Sequence, residues 1–239
     1  MMPPVLRAAM LSGAAALTLL ACSTDKPADG LTPIEQLLAQ DSALRAATGD
    51  STNQHINFDY ENLNRVVWQK PEVLLDRIGK LEGKTIVEVG SGSGFFTRRL
   101  AKRAGRVIAL DIDPGMLLLL DSLNAAELTP ELYNRVDPRL VPTDDPNLGD
   151  AEAQAALVVN TFMYIQQGAD YLRKLANGLE PGSPVLIVDF KKKSTPVGPP
   201  VGTRRPLYDV EAALKEAGFT DIQTDDTTLD YQYIVRGIR

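Results

Sequence analysis

The chain has 239 residues and a formal net charge of −6, from 25 Lys and Arg against 31 Asp and Glu. That length suits one α/β domain with an extension. The acidic balance argues against a nucleic-acid partner, because phosphate binding needs a basic face. A single cysteine excludes an intrachain disulfide.

That cysteine, Cys22, follows a leader in which Arg7 is the only charged side chain and Ala8 to Ala21 are apolar or small. A charged start and a short apolar middle are the marks of an export signal, and the run is too short to span a bilayer as a stable helix. The ending Leu19-Leu20-Ala21-Cys22 resembles the bacterial lipobox, whose cysteine is lipidated. It implies removal of residues 1–21, a lipid on Cys22, and a membrane-anchored position in the cell envelope, on the periplasmic side. The alternative is a cytoplasmic protein with an accidental apolar leader. Residues 22–54 read as a tether and N-terminal extension: a polar Pro- and Gly-containing run, then a helix expected over Pro33–Ala47. Residues 55–239 form the expected domain. It opens on a polar loop holding the only histidine, His55, read as a surface residue. Trp68, Val73, Leu74, Leu75 and Ile78 then suggest one or two helices, with Pro71 opening the second.

From there short apolar runs alternate with helical patterns. Strands are expected at Thr85–Val89, Arg106–Leu110, Arg139–Val141, Ala156–Val159 and Val185–Asp189. Helices are expected near Phe95–Ala104, Pro114–Ala126, Gly168–Leu179 and Asp209–Ala217. This rhythm means a parallel sheet with helices on both faces, a Rossmann-like doubly wound α/β fold. Two last strand-like runs, Ile222–Leu229 and Tyr231–Ile238, have no helix between them and so must run antiparallel.

The first strand ends in "EVGSGSG", with Gly90, Gly92 and Gly94 around Ser91. Glycine lets a ligand approach the main chain, and the following helix turns free N–H groups toward it. A dinucleotide fits only in part. The dinucleotide fingerprint G-x-G-x-x-G asks for glycine where Phe95 stands. Glu88 at the strand end would repel a pyrophosphate and suits an ammonium group. Asp111, with Ile112 beside it, ends the second strand about 20 residues beyond Gly90, placed to accept from ribose hydroxyls. A ligand with a ribose and an ammonium but no phosphate is S-adenosylmethionine (SAM).

"VEVGSGSG…VIALDID" resembles motifs I and II of the class I SAM-dependent methyltransferases, and the likeness runs from about Trp68 to the C-terminus. It implies a seven-stranded sheet, mostly parallel with the last strand antiparallel. It also implies SAM as cofactor, with Asp144, next to Asp145, where an acid meets the adenine amino group. The segment "WQKPEVL" is similar to a recurrent element of these proteins, so its helix is expected to lid the pocket with Gln69 or Lys70 near the cofactor; Trp68 and Val73 equally suit plain packing. Relatives often carry histidine after the fourth strand. Here Asn160, Thr161, Phe162 and Tyr164 stand there, which excludes a histidine base from that loop.

Methyl transfer from a sulfonium asks mostly for alignment, sometimes for a base. Asn160, Tyr164 and Asp189 are the candidates for acceptor-side work, and Asn160 could equally hydrogen-bond the methionine end of SAM; each has an ordinary alternative as turn, packing or capping residue. The Pro- and Gly-rich run 190–205 suits a flap, where Lys191 to Lys193, Arg204 and Arg205 would favour an anionic substrate. No Cys and His cluster at ligand spacing is present, so no metal is expected. Two functions stay open: a methyltransferase for a small or lipid-like acceptor, and a non-catalytic envelope lipoprotein that keeps the SAM-binding fold as a binding module.

Overall fold

A computed structural model describes residues 65–239. The leader, Cys22, the tether, the expected helix Pro33–Ala47 and His55 lie outside the described residues.

Two short helices, α1 (Arg65–Gln69) and α2 (Pro71–Ile78), precede β1 (Thr85–Val89), α3 (Thr97–Ala101), β2 (Arg106–Asp111), α4 (Pro114–Glu127), α5 (Pro130–Tyr133), β3 (Val136–Leu140) and β4 (Ala155–Val159). A 3₁₀ turn (Phe162–Tyr164), α6 (Gly168–Asn177), β5 (Pro184–Phe190), α7 (Leu207–Glu216), β6 (Thr220–Asp225) and β7 (Gln232–Ile238) complete the chain. The seven strands form one sheet in the order β3-β2-β1-β4-β5-β7-β6. All pairings are parallel except those of β7, which runs antiparallel to both β5 and β6. This is the expected doubly wound α/β sheet with its antiparallel last strand.

The central strands are apolar on both faces because helices cover both. Val87, Val89, Ile108, Leu110 and Val158 turn one way and pack under Leu172 and Leu175 of α6 and Val210 and Leu214 of α7. Ile86, Val107, Leu157, Leu186 and Val188 turn the other way, against Leu74, Leu75 and Ile78 of α2 and Leu100 of α3. Side chains alternate along a strand, so Glu88 shares the face of Ile86. The only charged side chain of β1 is thereby aimed beneath α1 and α3. Both sheet edges are half-polar: β3 carries Pro138 and Asp137, and β6 reads TDIQTD. An edge strand of that kind resists pairing with another chain.

Several sequence boundaries move. Strand β3 starts at Val136, not Arg139, because Pro138 lacks an N–H and is tolerated on an edge strand. Helix α3 starts at Thr97, not Phe95. Gly92 (φ 53°) and Gly94 (φ 86°) hold a non-helical turn up to Phe96. Strand β6 stops at Asp225 rather than Leu229, because the Asp225 carboxylate accepts from the Thr227 and Thr228 amides and closes a turn. Helix α5 and the 3₁₀ turn after β4 were not anticipated; each is a single turn with no periodicity to read. Helix α4 begins as expected, with Pro114 at its first turn and Asp113 Oδ1 accepting from Gly115 N at 2.8 Å.

Candidate functional site

The carboxyl ends of β1, β2, β4 and β5 open on one cavity of about 210 Å³. Its floor is the glycine turn. Gly90 N and Ser91 N both donate to Leu110 O, at 2.8 and 2.9 Å, which draws the turn across the end of β2. Gly90 has φ 74°, and a Cβ there would lie 2.2 Å from Thr161 Oγ1. Only glycine fits, because the loop after β4 passes directly over it.

Glu88 lines this cavity and is buried. Thr97 Oγ1 donates to its Oε2 at 2.6 Å, leaving Oε1 to another donor. Burial pushes its carboxyl up to about 8, against the Thr97 hydrogen bond and the nearby Arg65 guanidinium, which both favour the anion. A cationic ligand group would relieve that burial.

Asp111 lines the same cavity from the end of β2. Its Oδ2 accepts from Gly92 N at 2.7 Å and its Oδ1 from Asp113 N at 3.0 Å. Burial raises its pKa, and these amides hold it down in part. One lone pair on each oxygen remains for a pair of ligand hydroxyls. Ser91 Oγ is buried on the lining with no hydrogen-bond partner among the described residues. An orphaned buried hydroxyl in a cavity wall is a group waiting for a ligand or a water.

The structure brings Glu88, Gly90, Ser91, Gly92, Asp111, Ile112, Asn160 and Tyr164 to this lining. Gly94 is off the lining and packs against Leu120 and Arg98. Asp144 and Asp145 are off it too, on the surface beside Lys174, whose Nζ lies 3.1 Å from Asp145 Oδ2. Asp189 lies below the site, fully buried; the Met163 and Thr161 amides are its nearest donors, but neither of its oxygens reaches well-formed hydrogen-bond geometry. Burial pushes its carboxyl up to about 8; the Met163 and Thr161 amides and the Arg205 guanidinium offset only part of that.

Sequence reasoning missed Arg65, Phe95, Asp113, Met116, Met163, Phe190 and Pro199 on the lining. Arg65 lies 4.0 Å over the Phe95 ring, and Arg99 lies 3.9 Å over the same ring. The spacing of Arg65 and Gln69, one helical turn apart on either side of Trp68, was the available signal. Of the two lid candidates, Lys70 turns away: its Nζ donates to Thr228 O at 2.9 Å. Gln69 is fully buried and bonded to Gln232 at 3.0 Å, not on the lining. Trp68 packs on Phe190 and Tyr231, with centroids 5.7 and 6.2 Å apart, and so pins α1 over the end of β5. Val73 is exposed.

Three cations of the basic run are committed to the fold, while Lys192 and Lys193 are exposed and off the cavity lining. Arg204 is buried and donates to the carbonyls of Pro199, Lys191, Lys193 and Val197. Arg205 donates to Ile165 O at 2.7 Å, and Lys191 Nζ pairs with Asp226 at 3.1 Å. These cations knit the 191–206 loop to the sheet, and only Pro199 of that loop reaches the cavity. Guanidinium satisfies several carbonyls of an irregular loop at once, which is why the run looked like a binding patch.

The strand order, the glycine turn against β2 and the acidic residue ending β2 define the class I methyltransferase fold. The methyltransferase domain family matches residues 87–187 of this chain. A solved SAM-dependent methyltransferase from Aquifex aeolicus superposes with a TM-score of 0.66 at 24% identity, over 75% of this chain and 95% of that one. Among curated relatives, a tRNA U34 carboxymethyltransferase of Klebsiella pneumoniae is 28% identical over 72% of this chain and 53% of its own length. Phosphoethanolamine N-methyltransferase 1 of Triticum aestivum is 28% identical over 50% of this chain and 24% of its own length. The chain thus spans a quarter to about half of these curated relatives. Fold and match together support the class I SAM-dependent methyltransferase family.

Proposed function

We propose that this protein is a methyltransferase that binds SAM in the β1–β2 cavity and transfers its methyl group to a small or lipid-like acceptor. The observation that carries this is the joint placement of Glu88, the glycine turn and Asp111 on one cavity wall, with Ser91 Oγ unpartnered between them. Glu88 suits the ammonium of an amino acid, the turn suits close approach of a ligand, and Asp111 suits a ribose. When bound, SAM supplies an electrophilic methyl on a good leaving group.

The chain's own part is then alignment and exclusion of water. Met163, Phe190, Pro199 and Tyr164 face the cavity from the β4 and β5 side and offer a mainly apolar wall. That wall suits an acceptor with an apolar body. Among the described residues, no histidine, lysine or cysteine lines the cavity. An acceptor whose nucleophile carries a lone pair without prior deprotonation fits such a site best. The partners in this reading are a small molecule or lipid and no nucleic acid.

The lipobox-like Leu19-Leu20-Ala21-Cys22 supports a lipid-anchored, periplasmic-side location. In that location the binding-module reading stands as the second candidate, since SAM is made in the cytosol. Two experiments address these points. Purified mature chain, SAM and an envelope extract are mixed and searched by mass spectrometry for products heavier by one methyl. Such products, absent with Asp111→Ala, support transfer; SAM binding without any product favours the binding module. Radiolabelled palmitate is incorporated by the wild-type chain and lost in Cys22→Ser; label retained in that variant contradicts lipidation at this cysteine.

A further inference from the structure

A chain of side-chain hydrogen bonds runs from α1 to the cavity wall. Arg65 Nε donates to Gln69 Oε1 at 2.6 Å. Gln69 Nε2 donates to Gln232 Oε1 at 3.0 Å. Gln232 Nε2 donates to Asn160 Oδ1. Gln69 and Gln232 are fully buried, and they come from sequence positions 163 residues apart. The direction of this chain is fixed by chemistry, because a guanidinium cannot accept a hydrogen bond. Arg65 therefore forces the Gln69 oxygen toward itself. Its amide nitrogen must then face Gln232, and the nitrogen of Gln232 must face Asn160. Asn160 is left with its oxygen used and its NH₂ as the remaining polar group.

Asn160 itself has a left-handed backbone, φ 59°, next to Thr161, which passes directly over Gly90. β1 and β4 pair in parallel, with Val89 beside Val158. Continuing that register brings Asn160 level with Ser91 across the mouth of the site. The two therefore offer one N–H₂ and one unpartnered hydroxyl to the same wall. Glu88 is one strand residue below the glycine turn. In an α-amino acid the carboxylate is attached to the carbon that bears the ammonium. A ligand whose ammonium meets Glu88 thus carries its carboxylate within reach of these two donors.

We infer that Gln69 and Gln232 are positioning residues: they lock the Asn160 amide with its donor face turned to the carboxylate of the bound amino-acid ligand. The inference rests on the SAM reading above. It gives the N-terminal helix, whose Arg65 already lines the cavity, a second influence on the ligand site. It also explains why two buried glutamines, costly unless fully bonded, sit beneath a cavity whose walls are otherwise largely apolar.

The test compares SAM with 5′-methylthioadenosine, which keeps the nucleoside and lacks the amino-acid end. Full-length wild-type, Gln232→Glu and Gln69→Met chains are titrated with each ligand by calorimetry. In Gln232→Glu the side chain keeps its shape but can only accept toward Asn160 when ionised, so the Asn160 amide turns its oxygen into the cavity. SAM affinity is expected to fall at least tenfold while 5′-methylthioadenosine affinity changes less than twofold. Gln69→Met breaks the chain one step earlier and is expected to weaken SAM several-fold with the same selectivity. Equal losses for both ligands in both variants, or no loss for SAM, overturn the inference. Failure of the wild-type chain to bind either ligand overturns the SAM reading instead.

Discussion

Glu88 carries the most distinctive electrostatics of any single residue in the site. Its ordinary value of 4.5 is pushed up to about 8 by burial. Below that pH the ligand-free carboxyl holds a proton, and meeting an ammonium means releasing it. SAM affinity is therefore expected to rise with pH between about 6 and 8, by up to about tenfold per pH unit. Above about 8 it should level off, because the carboxyl is already ionised and an α-amino group of about 7.7–8.0 starts to lose its charge. Calorimetry in buffers of different ionisation heat would read the released proton. Glu88→Gln should bind more weakly and lose the pH dependence; a slope unchanged in that variant would assign it elsewhere. Gly90→Ala tests the floor of the site. The positive φ alone costs roughly 1–2 kcal/mol, and the added Cβ meets Thr161. Both stability and SAM affinity are expected to fall, as measured by denaturant midpoint and calorimetry. At this scale Glu88, Gly90 and Asp111 were legible, because each has a reason to exist that survives without a structure. Arg65 was not, because its reach to Phe95 and Gln69 depends on how α1 sits on the sheet.

The elements after β4 and β5 carry a second buried carboxyl. Asp189, ordinarily 3.8, is pushed up to about 8 by burial beneath the 3₁₀ turn. Between those values the folded chain keeps a proton that the unfolded chain has lost. Its stabilising share is complete below about pH 4 and is lost as pH rises through about 8. Asp189→Asn should flatten the fall of thermal midpoint between pH 5 and 8. At pH 8 it should raise that midpoint, by roughly 2–4 °C for each kcal/mol recovered. A variant that melts in parallel with the wild-type chain across that range would contradict this. The 191–206 loop depends on one side chain, Arg204, which satisfies four carbonyls from inside. Arg204→Ala is expected to cost about 2–4 kcal/mol, since buried acceptors lose charged donors. Limited proteolysis should then cut first within 191–206; unchanged resistance would show that the loop holds without it. This loop is also where the sequence misled. Pro and Gly density announced irregular backbone, but nothing in the order of residues says whether its cations point outward to a ligand or inward to carbonyls. Strand β3 and α5 were misjudged for a related reason: an edge strand with Pro138 and a four-residue helix have too little periodicity to read.

At the scale of the molecule, the parallel sheet and the antiparallel β7 followed from the alternation of strands and helices and from the helix-free tail, whereas the strand order is set by packing and comes only from the structure. The same alternation placed Glu88 and Asp111 at the ends of β1 and β2, so the wall proposed to face SAM could be read. The acceptor-facing wall could not, because it gathers Met163, Phe190 and Pro199 from separate loops whose paths are set only by packing. Fold alone does not choose between transfer and binding, but both readings require that the cavity take SAM. The most direct test is a calorimetric titration of the purified full-length chain with SAM, repeated on Asp111→Ala. Micromolar-range affinity in the wild-type chain, weakened at least tenfold in the variant, is the predicted result. No heat and no thermal shift with SAM in the wild-type chain, or an affinity indifferent to Asp111, would contradict it.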